Sequence, residues 1–142
     1  MKIVLANDHH GIDLKGRIIN YLNSKNIEYI NLGCDEKNNV DYVDYAEKLC
    51  ISIREKQCDL GILICGTGIG MSIAANKMSG IIAAKVNTPK EAALCKEHNM
   101  ANVMTLAEYT ENLEEILDAF IGIAYSTEER HKRRYNKIIN LK

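Results

Sequence analysis

The chain has 142 residues, a net charge of −1, 26% charged and 46% hydrophobic residues. That length suits one domain with a buried core, and this balance gives no reason to expect a nucleic-acid or membrane partner. No stretch approaches the roughly 18 apolar residues of a membrane span, and the apolar run in the opening MKIVLANDHH is too short for a signal peptide. Five cysteines, at 34, 50, 58, 65 and 95, show no CxxC spacing. They argue against a disulfide framework or a zinc site and fit a reducing cytoplasm.

In chain order, IVLA (3–6) predicts a first strand, followed by the loop and helix opening of NDHHGIDLK (7–15). EYINLG (28–33) predicts a second strand. Tyr42, Ala46, Leu49, Cys50 and Ile53 then share one helical face. LGILIC (60–65) predicts a third strand and runs into CGTGIGMSIAANK (65–77). IIAAKV (81–86) and NVMTL (102–106) predict two more strands, and Leu113, Ile116, Leu117, Phe120 and Ile121 form another apolar helical face. The strand segments are rich in Ile, Val and Leu, as strands covered on both faces are. Strand–helix alternation of this kind implies an α/β fold with a parallel sheet between helices. Right-handed crossovers collect the loops after the strands on one rim, where open α/β sheets bind ligands. NDHHGIDLK and CGTGIG both fall on that rim.

CGTGIG matches no familiar glycine motif. Gly68 and Gly70 leave Ile73 where a third dinucleotide-fingerprint glycine would stand, and the loop follows the third strand rather than the first. GxxxxGK[ST] is absent, Met71 occupies the position a phosphatase-type cysteine loop gives to arginine, and no second cysteine completes a CxxC. Alternating glycines still let backbone N–H groups converge, and the following helix adds unpaired donors and a partial positive charge. Such a nest holds a phosphate or a reaction oxyanion and favours an anionic sulfur at its edge. From the loop alone, a strand-to-helix turn with a buried structural cysteine fits equally well.

Five segments in order, NDHHGIDLK, DYVDYA (41–46), GILICGTGIGMSIAANK (61–77), HNMANV (98–103) and RHKRR (130–134), resemble the family of ribose-5-phosphate isomerase B and the galactose-6-phosphate isomerase subunits. The match spans essentially the whole chain. It implies one domain over residues 1–142 with a helical tail from about 127 to 142, and a Rossmann-like three-layer α/β/α sandwich with five parallel strands. It also implies a homodimer or dimer of dimers that interconverts aldose and ketose sugar phosphates without metal or organic cofactor. By that resemblance Cys65 moves the proton between C1 and C2, and Thr67 shuttles protons between O1 and O2. The amides of Gly66, Gly68, Ile69 and Gly70 hold the enediolate. Asp8 fixes sugar hydroxyls, His98 helps open the furanose ring, and Asn99 contacts substrate oxygens. His9, Arg130 and Arg134 grip the phosphate, with Asp41 and Tyr42 near the sugar. Ribose 5-phosphate leads as substrate, ahead of allose 6-phosphate or galactose 6-phosphate; the competing class is a non-catalytic binder of sugar phosphates or nucleotides.

The chain departs from the family pattern at several positions. Val43 stands for a usual proline, Met100 for an aspartate and His10 for a small residue, while Ala107 and Tyr109 replace a glycine and an arginine. That arginine commonly joins the phosphate clamp. His10 and His131 read as surface or packing residues. Cys34, Cys50, Cys58 and Cys95 read as inert. Tyr135, Ile138 and Ile139 form an apolar stripe on the tail, suited to packing against a partner subunit.

Overall fold

A computed structural model describes all 142 residues. Its strands are β1 (Lys2–Asn7), β2 (Glu28–Asn31), β3 (Leu60–Cys65), β4 (Ala83–Lys85) and β5 (Val103–Ala107). They form one parallel sheet in the order β2-β1-β3-β5-β4. The helices are α1 (Ile12–Ser24), α2 (Tyr42–Arg54), α3 (Ile69–Asn76), α4 (Pro89–Glu97), α5 (Leu113–Gly122) and α6 (Glu129–Ile139). None is long and apolar enough to cross a membrane.

Period-two alternation divides the core into two layers. Ile3 and Leu5 of β1, Ile62 and Ile64 of β3, and Met104 and Leu106 of β5 pack with α1, α4 and α5 through Leu14, Ile18, Ala92, Ile116 and Phe120. Val4, Ala6, Leu63 and Cys65 pack on the other face with α2 and α3 through Ala46, Leu49, Cys50, Met71 and Ala75. Each central strand is therefore apolar on both sides, which is why its sequence reads as a continuous run. The expected three-layer α/β/α sandwich and all five strands are present.

Two expected faces differ in detail. Ala46, Leu49, Cys50 and Ile53 are buried, but Tyr42 is 38% exposed. It lies in the first turn of α2, beyond the sheet, and its ring rests on the glycine loop rather than in the core. Ile121 is only half-buried, at the end of α5.

From β1 the chain crosses outward to β2, while β3 continues on the other side of β1. The strand order thus reverses at β1 and β3, and their C-terminal ends frame the crevice in which such sheets take ligands.

Candidate active site

Register sets the site. Asn7 lies opposite Ile64, and Cys65 opposite Ala107. Asp8, Cys65 and Ala107 therefore stand in a row across three neighbouring strands at the C-terminal rim, about 4.8 Å apart from strand to strand. Two backbone bonds tie the row: Asp8 N donates to Ile64 O at 3.2 Å and Glu108 N to Cys65 O at 3.0 Å.

Cys65 is buried, and its Sγ accepts a hydrogen bond from Gly68 N at 3.1 Å. Gly68 makes this possible with φ +76°, a left-handed conformation that costs an L-residue about 1–2 kcal/mol. A Cβ there would also stand 3.0 Å from the Leu106 carbonyl carbon. The Gly68 carbonyl accepts from Thr105 Oγ1 at 2.9 Å and from Ser72 N at 3.1 Å, which locks the turn onto β5 and α3. Thr67 is exposed beside the sulfur's loop, with its Oγ1 accepting from Ile69 N at 3.2 Å. The expected donor set is thus partly engaged within the loop: Gly68 N serves the sulfur and Ile69 N serves Thr67. The Gly66, Thr67, Gly70 and Met71 amides have no protein acceptor. These amides, next to the N-terminus of α3, are free for an oxyanion.

The other cysteines differ. All five are unpaired. Burial pushes the Cys50 and Cys95 thiols up to about 11, so both stay protonated at neutral pH. Neither receives a backbone N–H at the end of a strand.

The remaining candidates of this rim lie in the loops after β1 and β2 and at the start of α2. Asp8 is buried, and its Oδ1 accepts from His10 N at 2.9 Å. His9 Nδ1 accepts from Val40 N at 3.3 Å, which leaves Nε2 as the ring's N–H. Tyr42 lies over Gly70, where a Cβ would come within 2.6 Å of the ring. Asp41 is the N-cap residue of α2, although its side chain makes no capping bond.

Two buried polar residues that the sequence reading passed over hold these loops. Asn7 Nδ2 donates to Asp8 O at 2.8 Å and to Cys34 O at 2.9 Å. Lys15, buried on α1, donates to Cys34 O at 2.8 Å, Asn31 Oδ1 at 3.2 Å and Asp35 Oδ1 at 2.5 Å. The Lys15 hydrogen bond, with help from Asn31, holds the Asp35 carboxyl below the usual carboxylate range.

His98, Asn99, Arg130 and Arg134 are elsewhere. His98 and Asn99 precede β5, so they lie at the N-terminal rim of the sheet. The six residues of β3 alone separate the two rims by about 17 Å. The His98 ring stacks on buried His131 at 4.4 Å, and Ser126 N donates to Glu97 O at 3.1 Å, which docks the start of the tail on this loop. Arg130 and Arg134 stand one turn apart on α6, both exposed. Arg130 Nε is paired with Glu128 at 2.7 Å. Within one subunit, the candidate residues thus form two separate clusters, one at each rim.

The family model for ribose/galactose isomerases matches residues 3–138. The chain belongs to the ribose/galactose isomerase family. Ribose-5-phosphate isomerase B of Escherichia coli is 38% identical over 140 residues, spanning 96% of this chain and 93% of that one. A ribose 5-phosphate isomerase crystal structure from Thermotoga maritima superimposes with a TM-score of 0.94 at 42% identity, over 99% of this chain and 98% of that one. The crystal structure of ribose-5-phosphate isomerase B from Mycoplasma genitalium, with bound ribulose-5-phosphate, gives 0.91 at 38% identity over 97% and 93%. The family's fold is the one this chain adopts, and the sugar-phosphate isomerase lineage fits the thiol-and-amide arrangement at the end of β3.

Proposed function

We propose that the protein is an aldose–ketose isomerase of sugar phosphates, with ribose 5-phosphate as its leading substrate and ribulose 5-phosphate as product. The observation that carries this is Cys65 Sγ at the C-terminal end of β3, receiving the Gly68 N–H beside four unengaged backbone amides.

In this mechanism the sulfur acts as a thiolate. The Gly68 N–H and the N-terminus of α3 stabilise its charge. The thiolate removes the C2 proton of the open-chain aldose, and the electrons move to O1 as the enediolate forms. The free amides around Gly66 and Gly70 carry that negative charge. The thiol then returns its proton to C1, while Thr67 passes a proton from O2 to O1. The reaction is redox-neutral and needs no other electron carrier. Asp8 holds sugar hydroxyls. A non-catalytic binder would need the glycines but has no use for a thiol in that position.

His98, Asn99, Arg130 and Arg134 reach this crevice only from a second copy. We assign the working form to a homodimer, in which the far-rim cluster of one subunit completes the Cys65 site of the other. A two-fold axis makes two identical composite sites. The apolar stripe of α6 suits such an interface, since Ile138 is 43% exposed within one subunit. Five unpaired cysteines fit a cytoplasmic location.

The test is a panel of pentose and hexose phosphates, including allose 6-phosphate and galactose 6-phosphate, assayed for aldose–ketose conversion in EDTA. Turnover of ribose 5-phosphate ahead of the hexoses supports the assignment. Turnover that vanishes with chelation and returns with a divalent ion contradicts the mechanism, and binding without turnover of any sugar favours the binder.

A further inference from the structure

The loops of the Cys65 rim carry three basic side chains, His9, His10 and Lys37, and Lys37 faces Asp13 at 3.8 Å. His9 and His10 lie ring to ring, with centroids 4.3 Å apart. His10 is fixed from a distant part of the chain: its Nδ1 lies 3.1 Å from Glu108 Oε2, just past the end of β5. Its Cγ–Cδ2 edge covers Gly66, lying 3.8 Å from where a Cβ on that glycine would stand. Nε2 is bonded to Cδ2, so it lies beside the glycine loop, and it has no partner within the chain. The ring is about half exposed.

Building on the proposed function, we infer that His10 is a substrate-binding residue whose Nε2 contacts the phosphoryl group of the sugar phosphate, with Glu108 as the residue that positions it. A carboxylate on Nδ1 settles the ring's orientation and directs Nε2 away from β5. As an imidazolium, Nε2 donates to a phosphoryl oxygen; as a neutral ring protonated on Nδ1, it accepts from the O–H of a monoanionic phosphoryl group. His9, with its N–H on Nε2, offers a second donor alongside. The paired rings thus supply the subunit's own contribution to phosphate binding on the rim where Tyr109 offers no cation.

The experiment is calorimetric binding of D-ribose 5-phosphate, inorganic phosphate and D-ribose to wild type, His10→Ala and Glu108→Gln, with the ring nitrogens followed by ¹⁵N NMR. A hydrogen bond to a charged group is worth enough to predict about a tenfold rise in the ribose 5-phosphate Kd for His10→Ala. Glu108→Gln produces a smaller rise in the same direction. In turnover, the loss falls on KM more than on kcat. The His10 Nε2 resonance moves when inorganic phosphate is added to wild type. An unchanged Kd in His10→Ala, an Nε2 resonance that ignores phosphate, or an equal loss of D-ribose binding overturns the contact. So does a wild type that binds neither ribose 5-phosphate nor inorganic phosphate. A wild type that binds phosphate through His10 but isomerises nothing removes the enzymatic reading and leaves this contact standing.

Discussion

The Gly68 amide points at the Cys65 sulfur from 3.1 Å, across a turn that only a left-handed residue can make. One bond therefore links a backbone conformation to the sulfur of a side chain three residues earlier. If Cys65 is the base, Cys65→Ala removes turnover while leaving substrate binding largely intact. General acid–base groups typically contribute about 10²–10⁴-fold, and a base with no substitute belongs at or above the upper end. Comparing kcat with the Kd for ribose 5-phosphate separates the two effects. Near wild-type kcat would assign the proton transfer to another group.

Gly68→Ala loses stability twice, through the positive φ and through the approach to Leu106. Backbone strain of about 1–2 kcal/mol and overpacking of about 1–3 kcal/mol together predict a loss of roughly 2–5 kcal/mol. Gly80 is the internal control: its φ is +81°, but a Cβ there meets nothing within 4 Å. Gly80→Ala is therefore expected to lose only the strain portion. Urea denaturation of both variants checks the difference, and equal losses would mean that the contact with β5 does not matter.

The Lys15–Asp35 pair predicts a pH dependence of stability. Asp35 titrates lower in the folded protein than unfolded, chiefly through its hydrogen bond from Lys15. Its contribution is complete above the unfolded carboxylate value of about 3.9 and fades as the pH falls through the lower folded value. Asp35→Asn should flatten that part of the stability–pH curve below about pH 4. A curve that superimposes on wild type there would show that the pair contributes nothing.

Met100 sits at φ +55° in the turn between α4 and β5, directly after His98 and Asn99. Asn and Asp visit this region more readily than a long apolar side chain. Met100→Asn is expected to recover part of the left-handed cost of about 1–2 kcal/mol, read as a higher urea midpoint at unchanged slope. A lower midpoint would mean that the packing of the Met100 side chain outweighs the strain.

The layers were legible because the strands buried on both faces, LGILIC above all, carry no polar interruption, and because Leu113, Ile116, Leu117 and Phe120 keep a helical period. β4 is shorter than IIAAKV suggests: Ile81 turns into the core before pairing begins at Ala83. The candidate site was legible wherever one loop holds its own chemistry, as around Cys65. Contacts between distant segments were not. Nothing in the local sequence marks Lys15 or Lys96, yet both are buried, Lys96 donating to Phe120 O at 2.8 Å. His10 read as a surface or packing residue, because nothing local announces a carboxylate at position 108. Tyr42 matched the core period of α2 but stands in its first turn, with its ring over Gly70.

Arg130→Ala and Arg134→Ala should each raise the Kd for a phosphorylated sugar by about tenfold, the scale of a charge-assisted hydrogen bond, with little change for the unphosphorylated sugar. Calorimetry with ribose 5-phosphate and ribose reads this directly. Unchanged affinity in both variants would reduce the α6 arginines to a solvated helix end.

The shared site is the central claim, because Cys65 and His98 lie at opposite rims of one sheet. On this account Cys65→Ala and His98→Ala dimers are each expected to be inactive at both sites, and their subunits can be mixed and allowed to exchange. In a mixed dimer with composite sites, one site carries both lesions and the other carries neither. Random exchange makes half of the dimers mixed, and about a quarter of wild-type activity returns. If each site were built within one subunit, every site would keep one lesion. A mixture shown by native mass spectrometry to have exchanged its subunits, yet still inactive, would contradict the shared site.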